Sequence, residues 1–367
     1  MPAAHSEMHK RCRIFVDKKR DARYIDEIKK LYLLLKHRIY QQLKILHYEG
    51  LVLYMKSFVD AHCDTIVKLC GRGEELLETP CMQLDLKRLE TFPGAVQFFA
   101  VWLDPVYYPA AMRQTMKYIA FYHKQLEKNA ESIRHINTFA DILQNKARGR
   151  HSAVLSLEGG EALEGELSAL EIYHRLGVRA MTLTWNHRNA LADGTAENVT
   201  GGGLTCFGRD VVREMERLNM LVDVSHLSDA GFWDVEHLAQ KPFIASHSNA
   251  RAVCAHPRNL TDDMLRALAA KGGVAGLNFY PVFLRENEEA GIDDIIRHAS
   301  HMLDVMGEDH IGLGSDWDGI GTTPVDLRHA GELTALFTRM EQEFGAEITE
   351  KLREGNFLRV LRECLAP

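Results

Sequence analysis

From residue 55 to the C-terminus, short apolar runs alternate with longer stretches of helical periodicity, and this alternation restricts the chain more than any other feature. The runs are "SFVDAH" (57–62), "AVQFFAVW" (95–102), "SAVLSLEG" (152–159), "VRAMTLTW" (178–185), "NMLVDVSH" (219–226), "PFIASH" (242–247), "GVAGLNFY" (273–280) and "HIGLGSD" (310–316). Helix-like stretches separate them at 110–147, 165–176, 207–218, 228–239, 261–270 and 291–306. "LTDDMLRALAAKGG" carries its own boundary signals: Thr261 as N-cap, acids in the first turn, and Lys271 then glycine at the exit. Strands that alternate with helices argue for a parallel sheet, and eight strands close a (β/α)8 TIM barrel, the α/β fold expected here. The strand count alone leaves a doubly wound open sheet as the alternative.

The whole chain of 367 residues is 46% apolar, enough for one large barrel domain at 55–367. A net charge of −7 gives no reason to expect nucleic acid as a partner. The seven cysteines are scattered, odd in number and form no C-x-x-C pair, which suits reduced thiols in a cytoplasmic enzyme. Residues 1–54 form a separate basic segment: up to Lys56 there are 13 Lys and Arg against 6 Asp and Glu. At its centre "IDEIKKLYLLLKHRIYQQLKIL" predicts an amphipathic helical extension without the unbroken apolar run of a membrane span. A membrane surface or a partner could receive it; the plainer alternative is an appendage outside the fold, since Met55 directly precedes "KSFVDAHCDT".

The C-terminal ends of barrel strands meet at one face, and that face carries the chemistry. Here those ends hold His62 and Asp64, Glu158, His226, His247 and Asp316. Burying so many ionisable groups together is costly without compensating charge, which divalent metal ions would supply. Three histidines with carboxylates suit zinc or another first-row ion better than magnesium or calcium. Six donors exceed one tetrahedral site that keeps an open position, so they fit two metals with a bridging carboxylate. Hydrolysis of an amide or ester is the reaction such a pair implies.

The segments "DAHCDT", "SLEGGEAL", "DVSHLSDAGFWDV", "ASHSNARAVCAHPRNLTDDML", "GLNFYP" and "GLGSDWDG" occur in an order that resembles the membrane (renal) dipeptidase family of dinuclear zinc metallopeptidases. The resemblance covers roughly the chain from Met55 onward and implies a barrel of the metal-dependent hydrolase type. It implies two Zn2+ ions per chain, with His62 and Asp64 on one, His226 and His247 on the other, and Glu158 bridging them. It further implies a metal-bridging hydroxide as nucleophile, with Asp316 as the acid/base that passes a proton to the leaving amine. Arg258, in "HPRNL", would bind the carboxylate of a dipeptide substrate, and Tyr280 would line the pocket. Asp64 could instead cap a helix, and Arg258 could lie on a surface loop.

One position departs from the mammalian pattern, where a histidine that polarises the scissile carbonyl follows "Leu-Thr". This chain reads "MTLTWNHRNALADG", with Trp185 at that point and His187 two residues later. In a continuing strand residues two apart share a face, so His187 is expected to take over the role. The family also suggests a homodimer, and neither a recognisable signal nor an apolar tail marks a membrane anchor. The alternatives to a dipeptidase are an amidohydrolase-like deacylase or lactonase with the same metals, or a binding protein on an inactive barrel.

Overall fold

The computed structural model of the protein describes residues 56–286 and 289–365, and the expected helical extension at 1–54 lies outside them. Nine parallel strands are present among the described residues: β1 Val59–Asp60, β2 Val96–Trp102, β3 Ile133–His135, β4 His151–Glu158, β5 Val178–Thr182, β6 Leu221–Asp223, β7 Ile244–Ala245, β8 Val274–Leu277 and β9 Ile311–Leu313. Eight of them close a barrel in the order β1-β2-β4-β5-β6-β7-β8-β9 and back to β1. Closure is strongest between β2 and β4, which pair in unbroken register from Val96↔Ser152 to Trp102↔Glu158. The open-sheet alternative therefore falls.

The remaining strand corrects the helical reading of 110–147. That stretch is a helix Ala111–Lys128, then β3, then a helix Phe139–Ala147. Thr138 starts the second helix with a reciprocal capping box to Asp141, so the chain is forced out of helix just before it. β3 pairs with the start of β4, from Ile133↔His151 to His135↔Ala153, and β5 takes over that edge only from Leu155 onward. A three-residue strand fills the edge that the shorter β5 leaves open.

Strand alternation decides which side chains enter the barrel. In β4, Val154 packs with Val59, Val96, Phe98, Ala180, Leu221, Ile244 and Val274, and the C-terminal helix Asn356–Cys364 joins this cluster through Phe357, Val360 and Leu361. Ala153, Leu155 and Leu157 belong instead to the larger core shared with the surrounding helices. Glu158, four residues after Val154, thus falls on the inward-facing set at the strand's C-terminal end. The helices that follow the strands start on side-chain caps: Thr205, Ser228 and Thr261 accept from the main-chain N–H of Gly208, Gly231 and Met264. Among the described residues no helix is long and apolar enough to cross a membrane.

Interior space is tight where β7, β8 and β9 meet. A Cβ added at Gly276 would lie 2.0 Å from the Ser246 carbonyl oxygen, which is main chain and cannot swing away. Gly276→Ala should therefore lower stability by about 1–3 kcal/mol, the usual cost of overpacking. Denaturant unfolding checks this, and a neutral substitution would show that the strands slide apart freely.

Candidate metal centre

The barrel brings all six expected donors together. His62 lies two residues past β1, and Asp64 precedes the helix Thr65–Arg72 without making a side-chain cap bond, which leaves its carboxylate for the cluster. Glu158 ends β4, while His226, His247 and Asp316 follow β6, β7 and β9 within three residues. His62 Nε2 stands 3.4 Å from Asp64 Oδ2, 3.4 Å from Glu158 Oε2 and 3.9 Å from Asp316 Oδ1. The other oxygen of Glu158, Oε1, is 2.9 Å from His226 Nε2 and 3.8 Å from His247 Nε2. Glu158 thus divides its two oxygens between two groups of donors. His62 and His247 are 2% and 1% exposed, Glu158 is 5% exposed, and Asp316 is the most open of the six. His226 and Asp316 both have left-handed backbones, with φ 71° and 66°, a conformation that few non-glycine residues adopt outside strained sites.

Hydrogen bonds behind the donors fix which atoms face inward. His226 Nδ1 contacts Asn186 Oδ1 at 2.8 Å, an acceptor, so Nδ1 carries the proton and Nε2 presents a lone pair. Ser246 Oγ donates to Asp223 Oδ2 at 2.5 Å and lies 2.7 Å from His247 Nδ1. With its proton committed, that hydroxyl must accept from His247 Nδ1, which again leaves Nε2 bare. The two bare Nε2 atoms stand 2.8 Å apart. Asp60 plays the corresponding part on the other side, accepting from Ser315 N at 2.8 Å and Ser315 Oγ at 2.5 Å. Asn278 Nδ2 donates to Asp316 Oδ2 at 2.9 Å.

As protein alone, this cluster is electrostatically unbalanced. Burial pushes the Asp316 carboxyl up to about 7 and lowers the His226 imidazole to about 4. Burial also opposes charge on His62, yet the facing Glu158 lifts it well above its usual range. His62 Nε2 and Asp64 Oδ1 are buried with no hydrogen-bond partner. Facing lone pairs, orphaned donors and clustered carboxylates are what divalent cations would satisfy. His62, Glu158 and His247, and separately His62, Asp64 and Asp316, offer ligand atoms within 4.8 Å of one another. Imidazole and carboxylate together fit a zinc-type ion.

A cavity of about 550 Å³ opens over the centre. Arg258 borders it, 6% exposed, with Nη2 unpartnered and its guanidinium 5.5 Å from the Phe283 ring. It is not the surface residue that its loop position allowed. Tyr280 also lines the cavity, its ring 5.0 Å from Phe283. His187 reaches only the rim: its side chain is 64% exposed and 3.7 Å from Glu197. β5 stops at Thr182, so the alternation that would aim His187 inward does not extend to it. Trp185 lies nearer the donors, 6.4 Å from the His226 ring and edge-on to Trp102 at 5.2 Å. Sequence reasoning missed Asn186, Asp223, Ser246, Ser315 and Asn278; the repeated Ser placed directly before His247 and Asp316 was the available signal.

The family model described as membrane dipeptidase (peptidase family M19) matches residues 50–366. The chain belongs to this family. It is 32% identical to dipeptidase tcpJ of Claviceps purpurea, covering 76% of this chain and 69% of that one. It is 35% identical to an uncharacterized protein in the pqqA 5' region of Klebsiella pneumoniae, over 66% of this chain and 93% of that one. Among solved structures it resembles a metallopeptidase from Rhodobacter sphaeroides liganded with a phosphinate mimic of the dipeptide L-Ala-D-Ala. Identity there is 30% and the TM-score 0.78, over 84% of this chain and 99% of that one. A family M19 dipeptidase structure gives a TM-score of 0.80 at 30% identity, over 85% of this chain and 100% of that one.

The hydrogen bonds that orient the imidazoles make a direct prediction. Ser246→Ala removes the acceptor for His247 Nδ1 and a donor to Asp223, so zinc affinity should fall by about 10–100-fold. Calorimetric zinc titration measures this, and an unchanged affinity would remove Ser246 from the support of the centre.

Proposed function

We propose that the chain is a dipeptidase that binds two zinc-type ions per chain and cleaves the single peptide bond of a dipeptide. The observation that carries this reading is that one cavity is bordered both by Asp64, Glu158, His226 and Asp316 of the donor cluster and by Arg258, whose buried Nη2 has no partner. Glu158 would bridge the ions, with His62 and Asp64 on one side and His226 and His247 on the other. Bound there, such ions supply Lewis acidity toward the scissile carbonyl and lower the pKa of water.

The remaining tasks fall to the protein's own groups. Arg258 suits a carboxylate through two parallel hydrogen bonds, and its burial makes an unpaired charge there unfavourable until a partner arrives. A free C-terminal carboxylate held by Arg258 places the preceding peptide bond over the donor cluster, which selects dipeptides over longer chains. Asp316 borders the same cavity, and its Oδ2 is held by Asn278, which fixes the carboxylate for proton transfer to the leaving amine. The dipeptide mimic held by the Rhodobacter sphaeroides relative supports the same substrate class. His187, at the rim, would meet the substrate only if the bound dipeptide reaches outward past Trp185. A cytoplasmic location and a homodimer complete the proposal, and cell fractionation and sedimentation test them.

Elemental analysis after reconstitution should find two ions per chain, and Glu158→Gln should weaken both together; loss of one ion alone rules out the bridge. Asp316→Asn should lower turnover by about 10²–10⁴-fold, while metal content should drop far less than in His247 or Glu158 variants. Dipeptides should exceed their C-terminal amides in kcat/KM by roughly ten- to a hundred-fold, the worth of a hydrogen bond to a charged group. Equal rates on the two substrates would favour a deacylase or lactonase instead.

A further inference from the structure

Arg258 reaches the cavity from an irregular segment, 249–260, that contains neither a regular strand nor a helix. A carboxylate anchor must be held to within a fraction of an ångström, so another group has to fix this main chain. We propose that Arg251 is the positioning residue for Arg258, holding the peptide carbonyls on both sides of it. The inference rests on the reading of Arg258 as the carboxylate anchor.

Arg251 Nη2 donates to the Pro257 carbonyl at 3.0 Å, and Nε donates to the Asn259 carbonyl at 2.7 Å. These are the residues immediately before and after Arg258. The far edge of the same guanidinium grips Asp229 with two bonds, Nη1 to Oδ2 at 2.7 Å and Nη2 to Oδ1 at 2.8 Å. Asp229 opens the helix Asp229–Leu238, three residues after the donor His226. Main-chain bonds finish the brace: Arg251 N donates to Leu260 O at 2.7 Å, and Leu260 N to Asn249 O at 2.8 Å. One planar fork therefore ties the loop of the anchor to the turn that carries a metal donor. Lysine cannot reproduce this, because a single ammonium cannot span two carbonyls and a carboxylate at once.

The test compares a dipeptide with its C-terminal amide in the zinc-loaded enzyme. In Arg251→Met, KM for the dipeptide should rise about tenfold, and the dipeptide-over-amide preference should collapse toward that of Arg258→Ala. Zinc content should stay at the wild-type level, and Arg251→Lys should not rescue. Adding Arg251→Met to Arg258→Ala should cost little more than Arg258→Ala alone, since both act on one contact. Asp229→Asn, which keeps the two carbonyl bonds, gives a second reading: a smaller loss of preference in the same direction. If the wild-type preference survives in both Arg251→Met and Asp229→Asn, or if dipeptide and amide suffer equally, Arg251 is only a structural support and the inference fails. A wild type with no preference overturns the reading of Arg258 and this inference with it.

Discussion

Two buried aspartates that bind no substrate hold the working rim together. Asp60 and Asp223 are 1% and 3% exposed, and a carboxyl group is tolerated at that depth only if hydrogen bonds satisfy its oxygens. Each takes those bonds from the neighbouring strand end. Asp60 receives the main-chain and hydroxyl donors of Ser315, and Gln97 Nε2 at 2.9 Å. Asp223 receives the same pair from Ser246, and Thr182 Oγ1 at 2.7 Å. Each serine directly precedes a donor, Asp316 or His247, and each aspartate lies two or three residues before another, His62 or His226. The bonds that make burial tolerable are thus the bonds that bring four donors to one place. The donor cluster inherits its geometry from the need to satisfy two acids that stand behind it.

Much of this was legible because barrel strands are short and end in chemistry. Apolar runs stopping at His62, Glu158, His226, His247 and Asp316 could be read as one rim, and they are one rim. β3 was hidden because three residues, Ile133 to His135, give too short an alternation to register inside a stretch otherwise helical in period. The role of His187 was projected from strand geometry, and it lost that basis because the chain leaves β5 three residues before Trp185. Asp60 and Asp223 carried no signal of their supporting part, because nothing in their spacing distinguishes a carboxylate aimed at a neighbouring serine from one aimed at a cation. The left-handed turns at His226 and Asp316 had no signal, since glycine or asparagine marks such turns in most sequences.

The site joins two kinds of support. The metal donors stand at or just beyond strand ends, where the barrel's main-chain ladder sets their positions. Arg258, Tyr280 and Trp185 stand on connections outside the regular strands, while Trp102 ends β2 opposite Glu158. Change in the second set alters what fits above the donor cluster without disturbing the ladder beneath. Gly319 lies where the two meet: a Cβ there would come within 2.2 Å of Asp316 Oδ1 and 2.3 Å of Asp64 Oδ2. The approach of that loop to both carboxylates requires a residue without a side chain.

The positive φ at His226 and Asp316 sets activity against durability. Each turn is pinned from outside, His226 by Thr195 N donating to its carbonyl at 2.8 Å and Asp316 by its own N donating to the His62 carbonyl at 3.2 Å. The rest of the fold therefore carries two conformations that a glycine would adopt without strain. An inactive descendant with glycine at either position would gain backbone ease even as it lost a donor, and the same exchange would relieve crowding among buried charges. Any campaign that ranks variants of this protein by heat resistance alone would therefore drift toward a sturdier barrel with an incomplete centre.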